Sequence, residues 1–315
     1  MSFANHLKSA KDLVTSYEET RAGFISLALE RNKRSTPFID EARALQARAQ
    51  TVKKPQDLLR LNDIRSGLIS AAGVSDKAAG HLGEEGIDEA IKGLIETFLE
   101  PAGPKFVEEL VFRYLLTRGD TLGGTMRNII GFLAQRKLNT AIAAALKIAG
   151  VTSFFLGAGG KNWSNTADAD QDEIALAKGL SWTVGAGKRT LLYNIKVPQI
   201  GSNVDLCLFN CECKSYGEKI LALNDSFVAL GELKGGIDPA GADEHWKTAR
   251  SALMRIRNNF SSQKRNPLLF FIGAAIEQRM GSEIWSELQS GQLNNAANLT
   301  KPIQVASLCN WLITI

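Results

Sequence analysis

Long apolar runs are missing from this sequence of 315 residues. None reaches the roughly 18 residues that a membrane-spanning helix requires. The segment after Met1 is polar and amphipathic, without the apolar centre of a secretory leader. No membrane anchor or export is therefore expected, and the protein is placed in the cytoplasm. Cysteine is scarce, with four in all: Cys207, Cys211, Cys213 and Cys309. The C-x3-C-x-C run lacks the second pair, or the histidines, of a zinc site, so structural thiols are expected and Cys207 reads as a small core residue. An excess of one charge is missing too, since 37 basic and 33 acidic side chains leave a net charge of only +4. That permits a nucleic-acid partner without implying one, because a local patch matters more than the total. With 44% hydrophobic residues the chain is an ordinary globular protein, long enough for one large domain or two. There is no internal repeat and no low-complexity tract.

What is present first is helix. Residues 1–60 carry apolar residues at mixed three-to-four spacing, with Pro37 and Pro55 marking helix starts near 38 and 56. More helices follow to residue 100, with a glycine-rich break over Gly80–Gly86. Pro101 to Pro104 marks a domain boundary, giving a mainly helical portion 1–100 and a second domain 101–315. Residues 105–117 read as an amphipathic helix whose Glu108 and Glu109 face solvent or, for one of them, the strands of 203–234. The run Arg118 to Asn128 reads as a glycine-rich turn entering a helix, where backbone N–H groups with Arg118 and Arg127 can hold a DNA phosphate or simply join two helices. Residues 129–149 read as a packed helix pair. Gly185-Ala186-Gly187-Lys188-Arg189 is rejected as a phosphate loop, because Trp182 and Arg189 stand where the pattern demands Gly and Ser or Thr. The acidic run Asp168 to Glu173 lacks the glycine and closing Glu of a calcium loop and reads as a charged loop or helix start.

Chemistry concentrates in 203–247. Val204, Leu206 and Leu208 alternate around Asp205, which reads as a strand, and 226–234 is a second strand closed by Gly235-Gly236. Residues two apart on a strand share a face about 7 Å apart. Glu232 and Lys234 therefore point the same way, and Asp205 on a neighbouring strand would complete two carboxylates and one ammonium. Such a set suits Mg²⁺, which takes one or two carboxylates and completes its shell with water and phosphate. Glu-x-Lys alone is more often a cross-strand ion pair at a solvated face. Beyond it, 242–257 reads as a helix with Trp246, Ala249, Leu253 and Ile256 buried and with Lys247 and Arg250 on a local basic surface adjoining those strands. His245, one of three histidines, falls in that helix's first turn and can take a proton from an attacking water. Residues 268–275 form an apolar run typical of a strand buried on both faces.

The stretch Glu232-Leu233-Lys234-Gly-Gly-Ile-Asp238-Pro-Ala-Gly-Ala-Asp-Glu-His245-Trp-Lys247 resembles the AvaI/BsoBI family of type II restriction endonucleases, within the PD-(D/E)xK nuclease group. Val204 stands where that group's motif has proline, which leaves the carboxylate itself in place. The resemblance implies an α/β fold, a restriction-endonuclease-like core with a mixed central sheet flanked by helices plus a mostly helical N-terminal portion. It implies a homodimer that hydrolyses double-stranded DNA at C-pyrimidine-C-G-purine-G with Mg²⁺, leaving 5′ overhangs, beside a methyltransferase that protects host DNA. Asp205 and Glu232 would bind metal, Lys234 and His245 would act on the water and phosphate, and Asp238 and Lys77 would read bases. A repair nuclease on the same core and a non-enzymatic DNA-binding protein are the alternatives. No cofactor loop or D-P-P-Y-type motif supports a methyltransferase.

Overall fold

The computed structural model describes residues 2–315 apart from Ala186, and the side chains of Asp76 and Arg127 lie outside that description. In chain order, α1 (Ala10–Leu13) and α2 (Tyr17–Ala49) lead through 3-10 turns to α3 (Arg65–Ala71), α4 (Asp76–Leu94) and α5 (Phe106–Ile148). Then come β1 (Ser153–Leu156), β2 (Trp163–Asn165), α6 (Gln171–Ala175), β3 (Gly179–Val184), β4 (Gly187–Val197), β5 (Ser202–Phe209), α7 (Glu218–Ala222) and β6 (Phe227–Lys234). The chain closes with α8 (Pro239–Ser262), β7 (Leu268–Gly273), α9 (Gln278–Gln289), β8 (Asn295–Asn298) and α10 (Pro302–Thr314). It divides into two compact units, Ile25–Ile129 on one hand and Met1–Phe24 with Ile130–Ile315 on the other. Residues 101–129, read from the sequence with the second domain, cluster with the helical unit, and the first 24 residues cluster with the sheet.

The helical unit is built on Leu45, Leu58, Leu68, Ile91, Leu99, Leu110 and Tyr114, all buried. Gly83 (φ 64°, ψ 178°) breaks α4 where a glycine-rich interruption is expected, and Pro55 opens a 3-10 helix at its first position. Three expectations fail. Pro37 lies inside α2 rather than starting a helix. An internal proline removes a backbone donor, and here the Ser35 and Thr36 hydroxyls both donate to the Asn32 carbonyl beside that turn. Likewise Arg118 to Asn128 is not a turn but the middle of α5, and the helix pair expected at 129–149 is that helix's second half. Each glycine there costs about 1 kcal/mol against alanine. Leu110 and Tyr114 before the run and Leu138, Ile142 and Leu146 after it are buried, and that packing carries the helix through.

Among the described residues the sheet has eight strands in the order β2-β1-β3-β4-β5-β6-β7-β8. It is antiparallel from β2 to β6 and parallel from β6 to β8, so it is the mixed sheet expected. The parallel strands need crossovers, which α8 and α9 supply. Ala242, Trp246, Ala249, Leu253, Ile256 and Phe260 of α8 recur every three or four residues and are buried against Leu230, Phe227 and Phe271. Phe270, on the opposite face of β7, stacks edge-on against Trp311 of α10 with centroids 5.7 Å apart. The apolar run of β7 is thus covered on both sides, as expected of a central strand.

Gly231 in β6 lies beside Phe270 in the parallel ladder, and a Cβ built on it would meet the phenyl ring at 2.5 Å. Gly231→Ala is expected to cost about 1–3 kcal/mol through forced repacking. A lowered urea midpoint with an unchanged slope is the predicted result, and an unchanged midpoint would contradict the packing described.

Candidate active site

The antiparallel register of β5 and β6 pairs Cys207 with Leu230 and Leu206 with Gly231. One step further along the same register, Asp205 faces Glu232, so cross-strand pairing alone brings the two carboxylates together. Asp205 Oδ2 accepts from the Leu233 backbone N–H at 3.0 Å and from Lys234 Nζ at 2.8 Å. The same ammonium reaches Glu232 Oε2 at 2.7 Å. The convergence expected from the spacing is therefore present, with an added backbone contact that strand periodicity could not reveal. Side-chain exposure falls from 33% at Asp205 to 20% at Lys234 and 4% at Glu232, so the cluster opens on the Asp205 side.

Burial, reinforced by the neighbouring Asp205 charge, pushes the Glu232 carboxyl up to about 7 against the pull of Lys234. Burial alone would lower the Lys234 ammonium, but the two carboxylates and their hydrogen bonds outweigh it and hold Lys234 above its ordinary value. Cys207 lies two residues along β5. Burial, then the charges of Glu232 and Asp205, raise its thiol well above the usual range, so it remains protonated and offers no thiolate. The donor set is two carboxylates, and among the described residues no group of three or more His, Cys, Asp or Glu is placed to hold a metal. Two hard oxygen donors beside an open side are what Mg²⁺ accepts, since it fills its other positions with water and substrate phosphate. The residues present fit that ion.

The loop after β6 is held from several sides. Ala274 N–H donates to the Lys234 carbonyl and Ala275 N–H to that of Gly236. A Cβ on Gly235 would meet the Ala134 side chain at 2.7 Å and the Ile130 carbonyl at 2.8 Å, so only glycine lets α5 pass this close. Thr15 accepts from the Ile276 N–H and donates to the Ala274 carbonyl, tying the N-terminal segment to the same end of the sheet. No local pattern announces these contacts.

Helix α8 opens at Pro239 rather than near Asp243. Asp238 is its N-cap and accepts from the Ala240 N–H at 3.0 Å, with proline at the first helical position. His245 consequently stands in the second turn, exposed, with its ring packed over Gly236 and Gly241. Asp238 itself is exposed.

The basic residues fall in differing surroundings. Lys247 is exposed and pairs with Asp243 at 2.5 Å. Arg250 is committed to α9, bonding Glu287 at 2.6 Å and Glu283 at 3.2 Å. In the helical unit, Lys77 is exposed in the first turn of α4. Arg118 lies within helix α5 and not in a turn, with its side chain beside the Tyr114 hydroxyl at 3.3 Å and Glu41 at 4.0 Å. The Arg127 side chain lies outside the described residues. Glu108 is exposed and Glu109 pairs with Arg113 at 2.7 Å. Asp170 caps α6 in a capping box with Glu173, so the acidic run is a helix start. No helix among the described residues is long and apolar enough to cross a membrane.

Comparison with known proteins adds two findings. The family described as "Restriction endonuclease BsobI" matches residues 3–315. The chain is 57% identical to "Type II restriction enzyme BsoBI" of Geobacillus stearothermophilus over 317 aligned residues, covering 99% of this chain and 98% of that protein. It is also 54% identical to "Type II restriction enzyme AvaI" of Nostoc sp. and of Anabaena variabilis, over the full length of each.

Proposed function

Since the chain belongs to the BsobI restriction endonuclease family and is a type II restriction enzyme, we propose that Asp205, Glu232 and Lys234 are its catalytic centre, cutting double-stranded DNA at C-pyrimidine-C-G-purine-G. The observation that carries this reading is the Lys234 ammonium bridging two carboxylates of adjacent strands at 2.8 and 2.7 Å. A Mg²⁺ held by Asp205 and Glu232 would polarise the scissile phosphate and acidify a bound water. Lys234 offsets charge developing on the phosphate oxygens and helps hold the water. The His245 imidazole takes one proton from the attacking water as its oxygen bonds to phosphorus. The bond from phosphorus to O3′ breaks, O3′ takes a proton from solvent, and the ends are a 3′-hydroxyl and a 5′-phosphate.

Asp238 and Lys77 are the base-reading candidates, and Lys247 contacts the phosphate backbone. Arg250, Arg118 and Arg127 are further candidates for contact with DNA. Of these, Arg250 and Arg118 would engage DNA while keeping the partners described above. A palindromic site is read most simply by two copies related by a two-fold axis, so the enzyme acts as a homodimer and leaves 5′ overhangs. It works in the cytoplasm beside a methyltransferase that shields host DNA.

Digestion of a plasmid of known sequence, with Mg²⁺ and with EDTA, tests this once the cut ends are mapped. Discrete fragments ending at the degenerate hexamer, only with Mg²⁺, are expected. Discrete cuts elsewhere would overturn the specificity, and a smear or preference for branched DNA would favour a repair nuclease. DNA left intact under both conditions would favour a protein that only binds.

A further inference from the structure

Among the described residues no hydrogen bond, ion pair or ring contact is made by the His245 imidazole, so packing alone sets where its nitrogens lie. That packing is against glycines. Helical side chains lean toward the helix N-terminus, so the ring at 245 lies over Gly241 one turn earlier. Past Gly241 it reaches Gly236, two residues after Lys234. A Cβ built on Gly236 would sit 3.0 Å from His245 Nε2 and 3.4 Å from Cδ2, and one on Gly241 3.4 Å from Nε2. The 3.0 Å approach is tighter than nine in ten real Cβ contacts, so the ring must give by a few tenths of an ångström, whereas 3.4 Å is ordinary contact. Neither glycine has a positive φ, so backbone strain does not explain the choice of residue. Gly236 also has its carbonyl fixed by the Ala275 N–H, so the loop is held and the ring is the part free to give.

We propose that Gly236 is a positioning residue whose bare backbone seats the His245 imidazole beside the end of β6. This rests on the reading of His245 as general base. A methyl group at 236 displaces the ring by a few tenths of an ångström without unfolding the protein, because an exposed imidazole gives more easily than a hydrogen-bonded loop.

The test is a double-mutant cycle by single-turnover cleavage of a duplex bearing the hexamer, over a range of pH. General-base assistance is worth roughly a hundredfold or more. His245→Ala is expected to lose about that factor, and Gly236→Ala about tenfold or more, with KM unchanged and the acid limb of the pH profile displaced. In the double variant, Gly236→Ala should cost nothing beyond His245→Ala. Gly241→Ala, where only ordinary contact is created, should stay within about twofold of the parent. Unfolding midpoints of all variants identify any loss that is merely structural. The seat is overturned if Gly236→Ala cleaves at the parent rate, or if it costs the same factor in both backgrounds. Parent-like cleavage by His245→Ala would instead remove the general-base reading, and the seat with it, a result distinct from failure of the seat alone.

Discussion

Glu232→Gln is expected to slow DNA cleavage by about a thousandfold or more while making the metal-free protein less sensitive to pH. The first effect follows from the proposed role of Glu232 as one of two oxygen donors for a cation that would supply several kcal/mol of charge stabilisation in the transition state. The second follows from the buried carboxyl held at about 7 against an ordinary 4.5. Because the folded form binds this proton more tightly than the unfolded chain, Glu232 favours folding fully below pH 4.5 and loses that contribution as pH rises through 7. The gap corresponds to about 3 kcal/mol between pH 4 and pH 8. In EDTA, the parent should lose stability over this range relative to Glu232→Gln, whose amide does not titrate. Urea unfolding at the two pH values measures the difference, and parallel behaviour of the two proteins would contradict the assignment. In the parent, protons compete with metal at this carboxylate, so Mg²⁺ affinity should weaken as pH falls below 7.

Lys234→Met should cost about a hundred- to a thousandfold in single-turnover cleavage, the usual loss on deleting a preorganised group that meets developing charge. Methionine keeps much of the apolar stem but leaves Asp205 and Glu232 facing each other without the ammonium that now bridges them. Breaking one side of a buried ion cluster costs about 3–5 kcal/mol when a charge is left uncompensated. The Glu232 carboxyl can escape part of that by taking up a proton, so the loss should be larger at pH 8 than at pH 6. Added Mg²⁺ should restore part of it by occupying the same negative field, since a ligand that binds only the folded form stabilises it. Cleavage near the parent rate, or stability unaffected at pH 8, would remove Lys234 from the centre.

What could be read in the sequence divides by the range of the interaction. The strand around Asp205, the strand ending at Lys234 and the buried stripe of α8 were legible because alternation and three-to-four spacing are local signals. Their convergence was legible as well, since two residues on one strand face need only a neighbouring strand in register. The start of α8 was missed although Asp238-Pro239 is a cap followed by a first-turn proline, a signal the residues did carry. Pro37 and the glycines of 118–128 misled for a different reason, because packing on both sides overrode residues that weaken an isolated helix.

Other features had no local signature at all. The Asn298 side chain donates to the Leu13 carbonyl and to the Thr15 hydroxyl, and Gln304 donates to the Asp12 carbonyl. These bonds join the two ends of the chain and explain why the first residues belong with the sheet. His6 shows the same thing: its ring bonds Ser307 and the Ala296 carbonyl, and burial lowers its proton affinity despite that carbonyl. It is a packed structural histidine, which periodicity could not distinguish from His245.

The central claim is that the β5 and β6 carboxylates with Lys234 perform the chemistry, while other surfaces hold the DNA. The measurement that tests it most directly is paired gel-shift binding and single-turnover cleavage of one duplex bearing the hexamer, by the parent, Glu232→Gln and Lys234→Met. All three are expected to bind within about tenfold of one another, with only the parent cleaving at an appreciable rate. Cleavage by either variant at the parent rate, or binding lost in step with cleavage, would contradict the account.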